Sequence, residues 1–167
     1  ALQGLEEVRQ LVRSALLDMR GLLLDNGPEV LTEQPLDVLL QRLIDALSHR
    51  SHVPIHHALD SGPSLSPSAK VTLYRIAEEA LNNAVKHSGA ATIEVSLTWK
   101  GPGLSLSIRD DGRGFDPGAV APGHLGLGIM RQRAKEIGAA IDIRSDAATG
   151  TQVTVTWSGV GGERNDG

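Results

Sequence analysis

Glu79-Ala80-Leu81-Asn82-Asn83-Ala84-Val85-Lys86-His87 is the second half of a helix whose start and stop are both written in the sequence. Ser66 is a capping residue and Pro67 suits the first helical position, where no amide hydrogen is needed. Ser88-Gly89 ends the helix after His87. At about 100° per residue, Leu73, Ala77, Ala80, Leu81 and Ala84 share one face. Glu79, Asn83 and Lys86 gather on the other, within roughly 60° of one another, with Arg75 and His87 at the margins. A solvated helix face ordinarily mixes charges without consequence. Here a carboxylate, an amide oxygen and an amine stand in consecutive turns. A hard cation held by one or two protein oxygens plus substrate phosphates has that requirement, and an amine beside it balances phosphate charge.

Outward from this helix the pattern changes period. Ile93, Val95, Leu97 and Trp99 alternate with polar residues, and so do Leu104, Leu106 and Ile108. Lys100-Gly101-Pro102-Gly103 joins them as a hairpin. Ile141 and Ile143 form a further strand, and Val153, Val155 and Trp157 another, with a turn through Thr149-Gly150 between them. A short helix is expected over Ile129 to Ile137, stopped by Gly138. On the N-terminal side, Leu36, Leu39, Leu40, Leu43, Ile44 and Leu47 mark a helix over residues 36–50, and Val53 to Leu59 reads as a short strand. Strands apolar on one face only belong to an antiparallel or mixed sheet with helices on one side. The expected fold class is therefore α+β, a two-layer α/β sandwich with a mixed, mostly antiparallel sheet, and not a doubly wound one.

Composition narrows the function. The chain has 167 residues, 40% apolar and 22% charged, which suffices for one domain with a short appendage. Phe115, Tyr74, Trp99 and Trp157 are all its aromatics, too few for a base-stacking single-strand binder. A formal charge of −4 without a basic run disfavours phosphate-backbone binding, so no direct nucleic-acid contact is expected. There is no cysteine, which removes disulfides and thiolate chemistry. No stretch approaches the roughly 18 apolar residues of a membrane span. The chain begins at Ala1, as a piece of something longer would. Leu5, Val8, Val12, Ala15, Met19 and Leu22 form a heptad seam over residues 1–25, either packed on the following domain or half of a helical hairpin. The tail, residues 159–167, lacks apolar anchors and is expected to be disordered.

Three more motifs carry chemistry. Asp110-Asp111-Gly112-Arg113-Gly114-Phe115 follows directly on the Leu104–Ile108 strand. A carboxylate at a strand end can accept from an exocyclic amine, and the glycines let a flat ring approach the backbone. Gly123-His124-Leu125-Gly126-Leu127-Gly128 leads into a helix N-terminus, which suits a phosphate chain. Thr149-Gly150-Thr151 enters the last strand with a hydroxyl able to bond a base or cap a turn. No G-x-G-x-x-G, no G-x-x-x-x-G-K-[ST] and no eukaryotic-type kinase signature occurs, so the dinucleotide fingerprint and the P-loop are excluded.

Glu-x-x-x-Asn on a helix, Asp-x-Gly-x-Gly after a strand, a glycine-rich lid and Gly-Thr before a terminal strand, in that order, resemble the Bergerat (GHKL) ATP-binding domain of histidine kinases, type II topoisomerases, Hsp90 and MutL. The resemblance spans residues 35–158. Glu79 to His87 looks like the asparagine box of sensor histidine kinases that pair with nitrate-response-type regulators. Gly126-Leu127-Gly128-Ile129-Met130-Arg131-Gln132-Arg133-Ala134 resembles the same branch's lid and following helix. The resemblance implies a catalytic ATP-binding part that binds ATP with Mg²⁺ and passes the γ-phosphoryl group to a histidine and then to a response regulator with a helix-turn-helix output.

By position it implies Glu79 polarising the attacking group, Asn83 coordinating Mg²⁺, and Lys86 and His87 on phosphates. Asp110 would take the adenine amine, with Gly112 and Gly114 shaping the pocket. Gly126 and Gly128 would flex the lid, and Thr151 would complete the adenine site. Residues 1–27 would be the second helix of a truncated dimerisation and phosphoacceptor hairpin, in a parent that is a homodimer and faces the cytoplasm, free or tethered to the membrane. None of the six histidines, His49, His52, His56, His57, His87 and His124, stands where the branch's acceptor lies. The His49 to His57 group lacks acidic or cysteine partners at metal-binding spacing. Two alternatives share the fold: an anti-sigma-factor-type serine kinase, and a non-catalytic nucleotide-binding dimerisation module.

Overall fold

The structure, a computed structural model, describes residues 31, 33–116 and 125–159. The expected helix over residues 1–27, the Gly123-His124 part of the glycine-rich segment and the tail beyond residue 159 lie outside the described residues.

Helix α1 spans Leu36–Arg50, and its 3,4-spaced Leu36, Leu39, Leu40, Leu43, Ile44 and Leu47 are all buried. Strand β1, Ile55–Leu59, leads to α2, Pro67–His87. Ser66 caps α2 as expected: its hydroxyl oxygen accepts from the Ala69 amide at 3.3 Å. At the other end the Ser88 hydroxyl donates to the Ala84 carbonyl at 2.5 Å, and Gly89 turns the chain away at φ 63°. Strands β2 (Ile93–Lys100) and β3 (Gly103–Asp110) form the expected hairpin. Helix α3 covers Leu125–Glu136, and β4 (Ala140–Asp146) and β5 (Gly150–Trp157) close the fold.

The strands lie in the order β1-β2-β3-β5-β4. Only β1 runs parallel to its neighbour; the other three pairings are antiparallel. Ile93, Val95, Leu97, Leu104, Leu106, Ile108, Val153 and Val155 form the inner face, each at most 4% exposed. Leu73, Ile76, Ala77, Ala80, Leu81 and Ala84 of α2 belong to the same core. The opposite face carries Ser96, Thr98, Ser105, Ser107, Thr154 and Thr156, all exposed or half-exposed. The α+β two-layer reading therefore holds for the described residues, because period-2 alternation leaves one sheet face for water and one for helices. Two tryptophans pin the layers. The Trp157 indole donates to the Ile137 carbonyl beyond α3, and the Trp99 indole donates to the Asp60 carbonyl, both at 3.1 Å.

The expected boundaries shift in two places that matter. Helix α3 begins at Leu125 instead of Ile129, so Gly126 and Gly128 lie in its first turn and not in a loop ahead of it. Glycine is a poor helix former, but Met130 (1% exposed) and Ala134 (0%) anchor this helix in the core and carry the glycines with them. Strand β5 begins at Gly150, which puts Thr151 inside the sheet, paired with Asp110.

Candidate functional site

A cleft of about 480 Å³ opens between the C-terminal half of α2, the end of β3, the start of β5 and the first turns of α3. Glu79, Asn83 and His87 line it from α2, one turn apart on one face. Asp110 lines it from the end of β3, followed by Arg113, Gly114 and Phe115 from the loop after β3. Gly126, Leu127 and Met130 enter from α3, and Thr151 and Val153 from β5. Segments distant in sequence thus bring Asn83, Asp110, Gly126 and Thr151 to one space. Three expected residues do not line it. Lys86 is exposed beside it. Gly112 packs behind its loop, where a Cβ would overlap the Ser88 carbonyl oxygen. Gly128 faces an outer groove with Val71, Thr72 and Arg75.

The part of the cleft around Asp110 is built on one row across the sheet. Ile93, Asp110, Thr151 and Ser145 are successive cross-strand partners on the core side. Asp110 is 5% exposed. Its Oδ1 accepts from the Gly112 amide at 2.9 Å and from the Thr151 amide at 3.4 Å. Among the described residues no donor engages Oδ2. Burial pushes the Asp110 carboxyl above its ordinary value, the two amides work against that, and neighbouring Asp111 adds to it. The result is a fixed acceptor at the edge of an apolar floor of Ile108, Met130 and Val153.

The adjacent carboxylate does a different task. Asp111 Oδ1 accepts from the Ala91 and Thr92 amides at 2.8 and 2.9 Å, and Oδ2 accepts from the Thr92 hydroxyl at 3.1 Å. These bonds, the Thr92 amide first, hold its carboxyl below the ordinary range. Asp111 ties the loop after β3 to the strand entry of β2. Ser88 ties the same loop to the end of α2, its carbonyl accepting from the Arg113 amide at 2.8 Å. Gly114, at φ 57°, then passes so close to the Asp146 carbonyl that no side chain fits. Gly150, at φ 80°, does likewise against the Asp110 carbonyl. The loop's shape is thereby set by α2, β2 and β4 together.

The part around Glu79 and Asn83 is polar. A Cβ on Gly126 would overlap Glu79 Oε1, so the absence of a side chain lets α3 approach the Glu79 and Asn83 pair. Among the described residues no group of three His, Cys, Asp or Glu side chains could hold a metal by themselves. A hard cation here would therefore need ligand oxygens to complete its shell, beside the Asn83 amide oxygen and the Glu79 carboxylate. The donor set fits a cation that arrives with phosphates. An apolar slot with one acceptor at its edge, continuous with a polar part, suits a flat amine-bearing ring joined to a polyanion.

Sequence reasoning missed Ser88, Ser145, Phe115 and Met130 as builders of this space. Met130 was legible as part of the helix seam, and Ser145 continues the period-2 row of Ile141 and Ile143. Ser88 stood in the helix-ending pair, and only its tertiary bonds give it a second role.

The profile of the histidine kinase-, DNA gyrase B- and HSP90-like ATPase family matches residues 68–159, which hold α2 to β5 and every lining residue named above. The sensor histidine kinase LiaS of Bacillus subtilis is 32% identical over 148 residues, covering 89% of this chain and 41% of LiaS. The nitrate/nitrite sensor protein NarX of Escherichia coli is 30% identical over 154 residues, covering 92% of this chain and 26% of NarX. The chain thus spans less than half the length of these curated relatives. Among solved structures, the blue-light activated histidine kinase of Erythrobacter litoralis EL346 superposes with a TM-score of 0.63 at 25% identity, over 73% of this chain and 41% of that one. The chain belongs to the histidine kinase-, DNA gyrase B- and HSP90-like ATPase family, and its relatives within that family are sensor histidine kinases.

Proposed function

We propose that the cleft binds ATP with Mg²⁺ and that the chain is the catalytic ATP-binding part of a two-component sensor histidine kinase. The observation that carries this reading is that Asn83 and Asp110, from elements distant in sequence, line one cleft. Asp110 Oδ2 accepts from the adenine amine, with Thr151 beside it and Gly112 and Gly114 holding the loop open to a flat ring. Asn83 holds the metal, which when bound neutralises phosphate charge and fixes the phosphate chain. Glu79 polarises the incoming nucleophile, His87 contacts phosphate, and Lys86 adds positive potential from just outside the wall. Gly126 gives α3 its close approach, and Gly128 gives the segment its freedom to move.

In the parent, the phosphoryl group passes to a histidine on a preceding hairpin and then to a response-regulator aspartate. The parent acts as a homodimer on the cytoplasmic side, and the chain makes no direct nucleic-acid contact. Calorimetry with ATP tests the reading. Wild type is expected to bind with an affinity that rises on adding Mg²⁺, and Asn83→Ala is expected to lose that rise. Equal binding with and without the metal in both proteins would contradict the role of Asn83. Incubation with γ-labelled ATP is expected to leave the isolated chain unlabelled, and acid-labile label on it would place the acceptor within these residues.

A further inference from the structure

Ser145 is absent from the cleft wall, yet it is bonded to two parts of it. Its hydroxyl oxygen accepts from the Phe115 amide at 2.8 Å and lies 2.8 Å from Thr151 Oγ1. It is the fourth residue of the row that contains Asp110 and Thr151, so all three side chains leave the sheet on the same side at the same end. A serine hydroxyl has one proton and two lone pairs. One lone pair is committed, because an amide can only donate. If Thr151 donated to Ser145, the Ser145 proton would have no acceptor among the described residues. If Ser145 donates to Thr151, its proton is used and the Thr151 proton is free to point into the cleft. The Phe115 amide occupies one Ser145 lone pair and leaves both directions open, and only the second puts a proton in the cleft, along a chain of amide to Ser145, Ser145 to Thr151, Thr151 to whatever lies in the slot.

We propose that Ser145 is a positioning residue for base selection, acting through Thr151. It makes Thr151 a donor at the place where Asp110, whose Oδ1 takes the Thr151 amide, presents Oδ2 as an acceptor. A donor beside an acceptor reads a ring edge that offers an acceptor beside a donor. Adenine offers that order in its ring nitrogen and exocyclic amine. Hypoxanthine and guanine offer the reverse, a carbonyl oxygen and a ring N–H, and would set donor against donor and acceptor against acceptor. The inference rests on the nucleotide reading above and adds to it the residue that fixes the polarity of recognition.

The test is calorimetry of wild type, Ser145→Ala and Ser145→Thr against ATP, inosine triphosphate and purine-riboside triphosphate with Mg²⁺, with a thermal melt of each protein. Purine riboside keeps the ring nitrogen and lacks the amine, which separates Thr151 from Asp110. Ser145→Ala is expected to weaken ATP and purine-riboside triphosphate by about three- to tenfold, to leave inosine triphosphate nearly unchanged, and so to shrink the ATP preference by the same factor. Ser145→Thr, which restores a hydroxyl, is expected to restore the preference. Should Ser145→Ala fail to fold, Ser145→Cys takes its place, its thiol being a weak donor of similar size. Equal weakening of all three nucleotides would make Ser145 a structural tie only and overturn the proposal. An unchanged preference would overturn it too, while leaving the nucleotide reading intact. A wild type that binds none of the three would overturn both.

Discussion

Asp110 and Asp111 are adjacent carboxylates that the fold pushes in opposite directions. Burial raises Asp110, whereas amide and hydroxyl donors, the Thr92 amide first, lower Asp111. For Asp111, the folded state favours the ionised form, so its stabilising contribution is complete above its ordinary value of 3.8 and fades as pH falls through its folded value. Asp111→Ala is expected to lower the melting temperature at pH 7, and the gap from wild type is expected to close below pH 3.8. For Asp110 the sign reverses: the fold disfavours its charge, so it costs stability at neutral pH. Asp110→Asn, which keeps the shape and removes the buried charge, is expected to raise the melting temperature while weakening ATP by about tenfold or more, because a charge-assisted acceptor is lost. Wild-type affinity for ATP is expected to fall with acidification, starting above pH 3.8, as Asp110 takes up its proton. At this scale the sequence singled out Asp110 through two glycines at fixed offsets after a strand, read together with the three other motifs in their order. It could not show what Ser88 and Ser145 do: the β4 period places Ser145 on the inner face, but neither it nor the helix end reveals bonds to the Phe115 and Arg113 amides, 25 or more positions away.

The elements whose ends and faces are both patterned were legible nearly residue for residue. Helix α2 has a cap, a proline, an apolar face and a glycine stop, and the β2–β3 hairpin alternates without a break. Leu81, fully buried between α2 and the sheet, is expected to cost about 2–5 kcal/mol when cut to alanine, read as a lower urea midpoint at unchanged slope. Helix α3 was misjudged at its start because spaced glycines read as a loop, whereas its burial against α2 is a tertiary effect. The two glycines there separate by substitution. Gly128→Ala meets nothing within 4 Å and is expected to stabilise the helix by about 1 kcal/mol. Gly126→Ala gains the same propensity but crowds Glu79 Oε1, so thermal stability is expected to be held while Mg²⁺-dependent ATP affinity drops.

The molecule as a whole is a helical layer on a five-stranded sheet whose open end gathers residues from α2, β3, α3 and β5. The order of motifs along the chain made that convergence readable in the sequence, because that order resembles a family whose fold gathers those motifs into one cleft. What the order could not give was which motif residues face inward: Asn83 and Thr151 do, Lys86 and Gly128 do not. The proposed nucleotide reading needs this cleft to hold one nucleotide along its full length. The most direct measurement is a crystal structure of the chain with Mg²⁺ and a non-hydrolysable ATP analogue. The expected result is the base amine within hydrogen-bond distance of Asp110 Oδ2 and the metal on Asn83 of the same molecule. A nucleotide bound with its base at Asn83, or anywhere outside the space between these two side chains, would contradict the account.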